Sequence, residues 1–217
     1  MAIEEPQYTV LGTDENIELR RYAPMIIAEA TVSGDMDKAS NKGFKLIADY
    51  IFGNNTVRFS NENGTKEEST TEEDTNNTTI SMTAPVTITR HSDANHSASS
   101  AIDMTAPVTV KLISESVDQQ WRVHFVMPSK YTMTSLPIPN NPAVMLTEIP
   151  ETYYATLRFS GFTGEKKVAE KTERLIAWLA EKNITPISTP ALARYNPPWA
   201  LPFLRRNEVI VRYEPSR

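Results

Sequence analysis

The stretch IELRRYAPMIIAEATVSG, residues 17–34, recurs in altered form as VMLTEIPETYYATLRFSG, residues 144–161. A constant offset of 127 residues aligns the two copies. Each copy contains two β-patterned runs around a proline-containing turn, and each ends in Ser-Gly. Identical residues occupy four aligned positions: Leu19 and Leu146, Ala28 and Ala155, Ser33 and Ser160, Gly34 and Gly161. The pattern indicates an internal duplication in which each half begins with a β-hairpin.

A helical pattern follows each Ser-Gly. Apolar or small residues recur at the spacing of a core-facing helical stripe, and charged residues fill the opposite side. Gly53 follows the first helix at a position typical of a helix C-terminus. The two stripes consist of Ala39, Gly43, Leu46, Ile47 and Tyr50 in the first half and Val168, Thr172, Leu175, Ile176 and Leu179 in the second.

Further β-patterned runs complete each half. In residues 121–127 the alternation predicts that Trp121, Val123, Phe125 and Met127 share one face and that His124 lies on the other. The prediction is an α+β fold: duplicated ββαββ units form a distorted, largely antiparallel β-barrel or sheet flanked by two α-helices. We expect one domain over residues 1–217, with halves at about 7–127 and 128–217 and a cleft where they meet. The additional predicted strands are 79–89, 102–113, 188–195 and 208–213.

Composition narrows the class of protein. The chain has 217 residues and no cysteine, which excludes disulfides, thiolate nucleophiles, iron–sulfur clusters and thioether-linked haem. Its net charge of -5 is concentrated in residues 60–79, which hold six acids against one lysine and predict a disordered surface loop. No clustered basic stretch suggests a nucleic-acid partner. Without a long apolar run or a secretory leader, we expect a cytoplasmic protein that does not bind membranes.

The pentapeptide Met-Thr-Ala-Pro-Val occurs twice, at residues 82–86 and 104–108. Each proline removes a strand hydrogen-bond donor, which predicts a strand edge, start or bulge at Pro85 and Pro107. Methionine is flexible and polarizable, so Met82 and Met104 either line a flat apolar ligand or fill gaps in the core. The sequence leaves both alternatives open.

Several motifs together resemble the SOUL haem-binding protein family in a bacterial-type version, over essentially the whole chain except the acidic insert. They are ELRRYAPMIIAEATVSG, GFKLIADYIFGNN, the paired MTAPV, FVMPSKYTMTSLPIPNNPAV, LRFSGF and ARYNPPWALPFLRRNEVIV. The resemblance implies a two-helix, distorted β-barrel built from two repeats, similar to bacterial multidrug effector-binding domains. It also implies non-covalent binding of haem or a related tetrapyrrole, a small planar hydrophobic ligand.

The predicted tetrapyrrole contact is an apolar surface on the first helix and the two methionine-bearing strands. Where some animal relatives carry a histidine, this chain has Arg21, so binding without a histidine axial ligand is expected. The extended Pro-rich segment near residue 200 is either a lid or a hydrophobic plug. The predicted contact residues are Phe44, Ile47, Ala48, Ile51, Met82 and Met104, with Lys45 and Arg205 as cations and Trp199 and Phe203 in the lid.

No metal site or catalytic set is predicted. His91, Asp93 and His96 have a conceivable metal-ligand spacing, but they fall in a loop-like segment without a second shell. No nucleotide-binding, zinc-protease or nucleophile-elbow motif occurs, so we expect a binding protein and not an enzyme. Two alternatives stay open. One is an effector-binding module for hydrophobic cations, with Glu208, Tyr195 and Trp199 as candidates. The other is an interaction scaffold without a small ligand.

Overall fold

The structure is a computed structural model that describes residues 4–58, 77–90, 119–196 and 200–215. The predicted strand over residues 102–113 lies outside these ranges, as do residues 60–76 of the predicted acidic loop. The same holds for Met104, Pro107, Trp199 and the proposed trio of His91, Asp93 and His96.

The described chain contains eleven strands, two α-helices and one short 3-10 helix. The first half comprises β1 (Tyr8–Asp14), β2 (Ile17–Tyr22), β3 (Met25–Ser33), α1 (Met36–Ile51), β4 (Asn55–Thr56), β5 (Val86–Arg90) and β6 (Gln120–Val126). The second comprises β7 (Ile138–Pro139), β8 (Met145–Ile149), β9 (Thr152–Phe159), α2 (Glu165–Glu181), β10 (Ala191–Arg194), the 3-10 helix (Pro202–Leu204) and β11 (Asn207–Arg212).

Nine strands form one curled antiparallel sheet, a half-barrel, in the order β1-β2-β9-β11-β10-β5-β6-β3-β8. The equivalent strands of the two repeats are β2 and β8, β3 and β9, β5 and β10, and β6 and β11. When each strand from β2 to β8 in this order is replaced by its equivalent, the order is the same read from the other end. The first strand of each repeated stretch, β2 or β8, therefore pairs with the second strand of the other stretch, β9 or β3. Leu19 lies opposite Ala155, and its repeat equivalent Leu146 lies opposite Ala28. This crosswise register confirms the duplication and the α+β fold.

Both helices pack on the same face of the sheet. A Cβ built at Gly43 of α1 would lie 2.5 Å from the Val123 side chain of β6, so glycine permits the close approach of this helix. The Phe44 and Phe125 rings are 5.4 Å apart. Asp35 caps α1 by accepting a 2.8 Å hydrogen bond from the Lys38 backbone N–H.

The Ser-Gly that ends each repeated stretch marks the turn from strand to helix. Gly34 has φ +138° and Gly161 has φ +97°, values that residues with a Cβ rarely adopt. The same dipeptide therefore directs the chain out of β3 and β9 and into the following helix. In α2, Leu175 and Leu179 of the predicted stripe are fully buried.

The opposite, concave face of the sheet is unusually polar. Strand alternation sends Arg20, Glu29, Thr87, Thr156 and Glu208 to this face, and all five are buried. Buried polar groups need partners, so this face is held together by hydrogen bonds and ion pairs. As predicted, Trp121, Val123 and Phe125 share the helix-facing side, and His124 lies on the concave side.

Three strand predictions were too long. The run predicted from residue 79 enters the sheet only at Val86, because Pro85 has no N–H to donate to the ladder. Before it, Thr83 forms an isolated bridge with Glu4 instead. Likewise β10 begins at Ala191, directly after Pro190. The predicted strand ending at Met127 stops at Val126, before Pro128.

Two features had no sequence prediction. The edge strand β1 pairs with β2, and β4 and β7 form a separate two-stranded sheet. Among the described helices, none is long and apolar enough to cross a bilayer.

Candidate functional site

A cleft of about 640 Å³ opens at one end of the half-barrel. It lies between the β2–β3 turn and the β8–β9 turn, next to the end of β8. These turns are equivalent in the two repeats, and Met25 lies opposite Ile149 in the ladder between them. The lining residues are Glu4–Gln7, Ala23–Ile26, Thr83, Val126–Ser129, Tyr131, Thr132 and Glu148–Pro150.

Prolines explain why the sheet leaves a gap at this end. Pro24 lies between β2 and β3, Pro128 follows β6 and Pro150 follows β8, and none of them can donate a ladder hydrogen bond. The strands therefore separate, and the last bond between β3 and β6 is donated by the Met127 N–H to the Ile26 carbonyl at 2.7 Å.

The N-terminal segment forms one wall of the cleft. The Glu4 carbonyl accepts a 2.9 Å hydrogen bond from the Ala84 N–H, and its carboxylate accepts one of 2.8 Å from the Ser129 N–H. Backbone pairing of Gln7 with Ala23, at 3.1 Å, anchors the other end of the segment. This wall is thus fixed to both neighbouring loops.

Apolar and sulfur-containing side chains form much of the lining. Met127 is 4% exposed and Val126 is 7% exposed, while Met25, Ile149 and Tyr131 are half-buried. Thioether and aromatic groups are polarizable and adapt to flat ligands. The surface therefore suits a planar hydrophobic molecule.

Carboxylates dominate the charged groups of the cleft. Glu4, Glu5 and Glu148 line it, and none of its described lining residues is a lysine or arginine. The hydrogen bond from the Ser129 backbone lowers the pKa of Glu4, so its carboxylate is charged at neutral pH. Lys130 stands beside the cleft, with its Nζ 5.0 Å from the centre of the Tyr131 ring.

A buried ion network lies on the concave face and reaches the cleft wall. Glu208 is 0% exposed and accepts hydrogen bonds from both terminal nitrogens of Arg20, at 2.7 and 3.0 Å. Arg206 Nε and the Tyr195 hydroxyl also donate to it, at 2.9 and 2.8 Å. Through its Nη1, Arg206 binds both carboxylate oxygens of Glu5, a cleft residue.

The network keeps its charges at neutral pH. Burial alone raises the pKa of the Glu208 carboxyl, but the hydrogen bonds and charges of Arg20 and Arg206 outweigh it and leave the pKa below 4.5. Burial raises the pKa of Tyr22 to about 12, although the Arg20 charge opposes that change. Since two arginines saturate Glu208, its carboxylate has no free face for a cationic ligand.

His124 is the histidine that the described ranges include. Burial lowers its pKa to about 4, and the Arg122 charge adds to the effect, so the imidazole is neutral at pH 7. It lies on the concave face, beside Glu29 in the β3–β6 ladder. The cleft is lined by Val126, two residues further along the strand, and not by His124.

The structure brings the predicted α1 residues together, but not at the cleft. Ile47 and Ile51 are 0% exposed and belong to the core between α1 and the sheet, and Ala48 is nearly as buried. Lys45 is exposed, whereas Phe44 is 38% exposed and its ring packs against the buried Phe125 ring of β6. Ligand contact by these residues stays a prediction.

The remaining predicted site residues are scattered. Met82 is half-buried and packs against the core. Phe203, 70% exposed, and Arg205 lie on and after the 3-10 helix, which is not part of the cleft. Tyr195 donates its hydroxyl to Glu208 and so belongs to the ion network.

Sequence reasoning did not identify the cleft residues. Their shared signal was the recurrence of proline directly beside strand ends, at Pro24, Pro128 and Pro150, with a methionine adjacent to two of them. That signal predicts where the sheet opens, although it does not show which openings lie together.

Known proteins share this fold at low sequence identity. The structure of the EcmrR C-terminal domain matches with a TM-score of 0.55 and 10% identity, covering 95% of this chain and 98% of that one. A structure described as a hydrolase from Listeria innocua matches with 0.52 and 10%, covering 94% of each chain. An EcmrR–DNA complex matches with 0.54 and 10%, covering 91% of this chain and 57% of that one.

At such identity these likenesses show the fold alone. Comparison with curated proteins finds no match. The family model described as SOUL heme-binding protein matches residues 3–99 and 90–212, which together span nearly the whole chain. The chain therefore belongs to the SOUL heme-binding protein family.

Proposed function

We propose that the protein binds haem or a related tetrapyrrole non-covalently, and that the cleft at the end of the half-barrel is the site. The observation that carries the proposal is the cleft itself: about 640 Å³ of space with an apolar lining. Small-molecule pockets typically measure about 300–1,000 Å³. Family membership supports tetrapyrrole as the ligand class.

Three cleft residues are of types that coordinate haem iron in other proteins. Met25, Met127 and Tyr131 line the cleft, and methionine and tyrosine are both known axial ligands. Apolar burial of the ring does not depend on such a bond, so a metal-free porphyrin should bind as well. Iron coordination adds a spectroscopic signature by which these residues can be identified.

The charges of the cleft predict how the ligand would be oriented. Propionates directed inward would meet the carboxylates of Glu4 and Glu5, which is unfavourable at short range. Directed outward, they reach solvent and the ammonium group of Lys130 beside Tyr131. We therefore expect the apolar edge of the ring to enter first.

We further propose binding without catalysis. The described lining residues include no histidine, and the chain has no cysteine. The cleft accordingly lacks the side chains that most often act as general base and thiol nucleophile.

A hydrophobic cation is the second candidate ligand, and the acidic lining favours it. Glu148 is exposed at the cleft, and Glu4 is charged at neutral pH. A cation next to these carboxylates and the Tyr131 ring would gain electrostatic and cation–π stabilisation. This candidate assigns the acidic role to cleft residues, since Glu208 is already neutralised by arginines.

Titration by absorbance and calorimetry tests these proposals. Hemin should give a saturable Soret shift, and protoporphyrin without iron should bind with comparable affinity. Replacing Met127 by leucine or Tyr131 by phenylalanine should change the ferric spectrum if that residue holds the iron, while affinity changes little. Met145→Leu is the matched control, because Met145 is 58% exposed and lies outside the cleft.

The competing ligand is tested in the same assay with tetraphenylphosphonium. Saturable binding of this cation, weakened by Glu148→Gln, together with no saturable hemin signal, would replace the tetrapyrrole proposal by the cation proposal. Failure of both ligands to saturate would contradict a small-molecule role for the cleft.

A further inference from the structure

A second surface of the molecule exposes large apolar side chains at the tips of two loops. The β9–α2 loop contributes Phe162, which is 68% exposed, and the segment around the 3-10 helix contributes Leu201, Phe203 and Leu204, which are 55%, 70% and 66% exposed. We call these four residues the loop-tip patch. None of them lines the cleft.

The two loops are fixed to each other. The Gly161 N–H donates a 2.8 Å hydrogen bond to the Pro202 carbonyl, and Asn207 Nδ2 donates one of 3.0 Å to the Gly161 carbonyl. The Arg205 guanidinium carbon lies 5.5 Å from the centre of the Phe162 ring. The apolar side chains therefore stand on a preformed support, and little ordering would be needed when they meet a partner.

Cations flank the patch although the chain is acidic overall. Lys166 is exposed in the first turn of α2, and Lys167 Nζ donates a 2.8 Å hydrogen bond to the Ser160 carbonyl. Glu165 is the one carboxylate in this turn of α2. Locally positive charge on a chain of net charge -5 points to an anionic partner.

We propose that the loop-tip patch docks the protein onto an anionic lipid surface, with the phenylalanines and leucines entering the headgroup boundary. Side chains exposed by 55–70% protrude from their surroundings, and a deformable phase can receive protruding groups without a matching pocket. The lysines beside them complement anionic headgroups. A protein partner would need a matching pocket for each of these protruding side chains.

Vesicle sedimentation tests the proposal with the full chain. The protein should pellet with phosphatidylcholine vesicles that contain phosphatidylserine, and binding should fall with added salt and with loss of phosphatidylserine. The double variant Phe162→Ser/Phe203→Ser should lower the partition coefficient by roughly tenfold or more, since each side chain gives up part of its transfer to an apolar phase. Lys166→Gln should lower it by roughly fivefold on anionic vesicles only.

Phe52→Ser is the matched control. Phe52 is 60% exposed but follows α1, away from the two loops, so its replacement should leave vesicle binding unchanged. Circular dichroism must show that each variant is folded; if the double variant is not, Lys166→Gln and the salt dependence decide the question. Absence of sedimentation with anionic vesicles at low salt would overturn the proposal. So would an equal loss with Phe52→Ser, or light scattering that shows a dimer broken by Phe162→Ser/Phe203→Ser.

Discussion

Replacing Arg20 by methionine should destabilise the protein by about 3 kcal/mol, because it breaks a buried ion pair from one side only. Arg20 is 2% exposed and Glu208 is 0% exposed, and two hydrogen bonds join them. Loss of one partner of such a pair typically costs ~3–5 kcal/mol. The lower end is expected here, because Arg206 and Tyr195 still donate to the remaining carboxylate.

Urea unfolding of a double-mutant cycle measures the effect. Arg20→Met and Glu208→Gln should each lower the free energy of unfolding by about 3 kcal/mol, or ~6–12 °C in Tm for a chain of this length. The double variant should lose distinctly less than the sum, with a coupling energy of about 1–3 kcal/mol. Arg174→Met is the control: Arg174 lies 2.6 Å from Glu15, but the two side chains are 47% and 74% exposed. That exposed pair should contribute less than about 1 kcal/mol.

The pH dependence of the same pair has a defined sign. The folded-state pKa of Glu208 lies below its unfolded value, so its contribution is fully present above about pH 4.5 and is lost as the pH falls through the folded pKa. The Glu208→Gln variant should therefore lose less stability than the parent protein between pH 6 and pH 3. Additive single effects, or equal acid sensitivity of parent and variant, would refute this account of the network.

Three further outcomes follow from individual contacts. Gly43→Ala should lower Tm by several degrees, because its Cβ would lie 2.5 Å from Val123; an unchanged Tm would mean that α1 shifts freely. Asp35→Ala should cost about 1 kcal/mol in urea unfolding through loss of the cap to the Lys38 N–H, whereas Asp35→Asn should largely retain stability. Lys130→Gln should weaken hemin binding by roughly fivefold without affecting a porphyrin that lacks carboxylates; equal weakening of both would place the propionates elsewhere.

The duplicated architecture was predictable because its signals are local. The two repeated stretches carry strand alternation, a turn and a Ser-Gly in the same order, and backbone sterics translate each into local structure. The offset of 127 residues even predicts the equivalence of Leu19 with Leu146, which the crosswise ladders confirm. Helix α1 was likewise predictable from its apolar stripe.

The cleft and the ion network were not predictable, because their parts are brought together only by the fold. Arg20 and Glu208 are 188 residues apart in the chain, and no local pattern pairs them. Helical periodicity correctly assigned Ile47 to an inward face, and Ile51, one turn later, is buried as well. Periodicity does not, however, distinguish a face that packs on a sheet from one that lines a ligand. The structure shows that the sheet covers both residues.

Hemin titration of two charge-insertion variants tests the central claim that the cleft holds the ligand. Met25→Asp places a carboxylate inside the cleft, whereas Phe44→Asp places one on α1 beside Phe125, where the sequence predicted the contact. With both variants folded, we predict that Met25→Asp abolishes the saturable Soret shift and that Phe44→Asp retains it. Loss of binding in Phe44→Asp with full affinity in Met25→Asp would contradict the cleft and return the site to the helix.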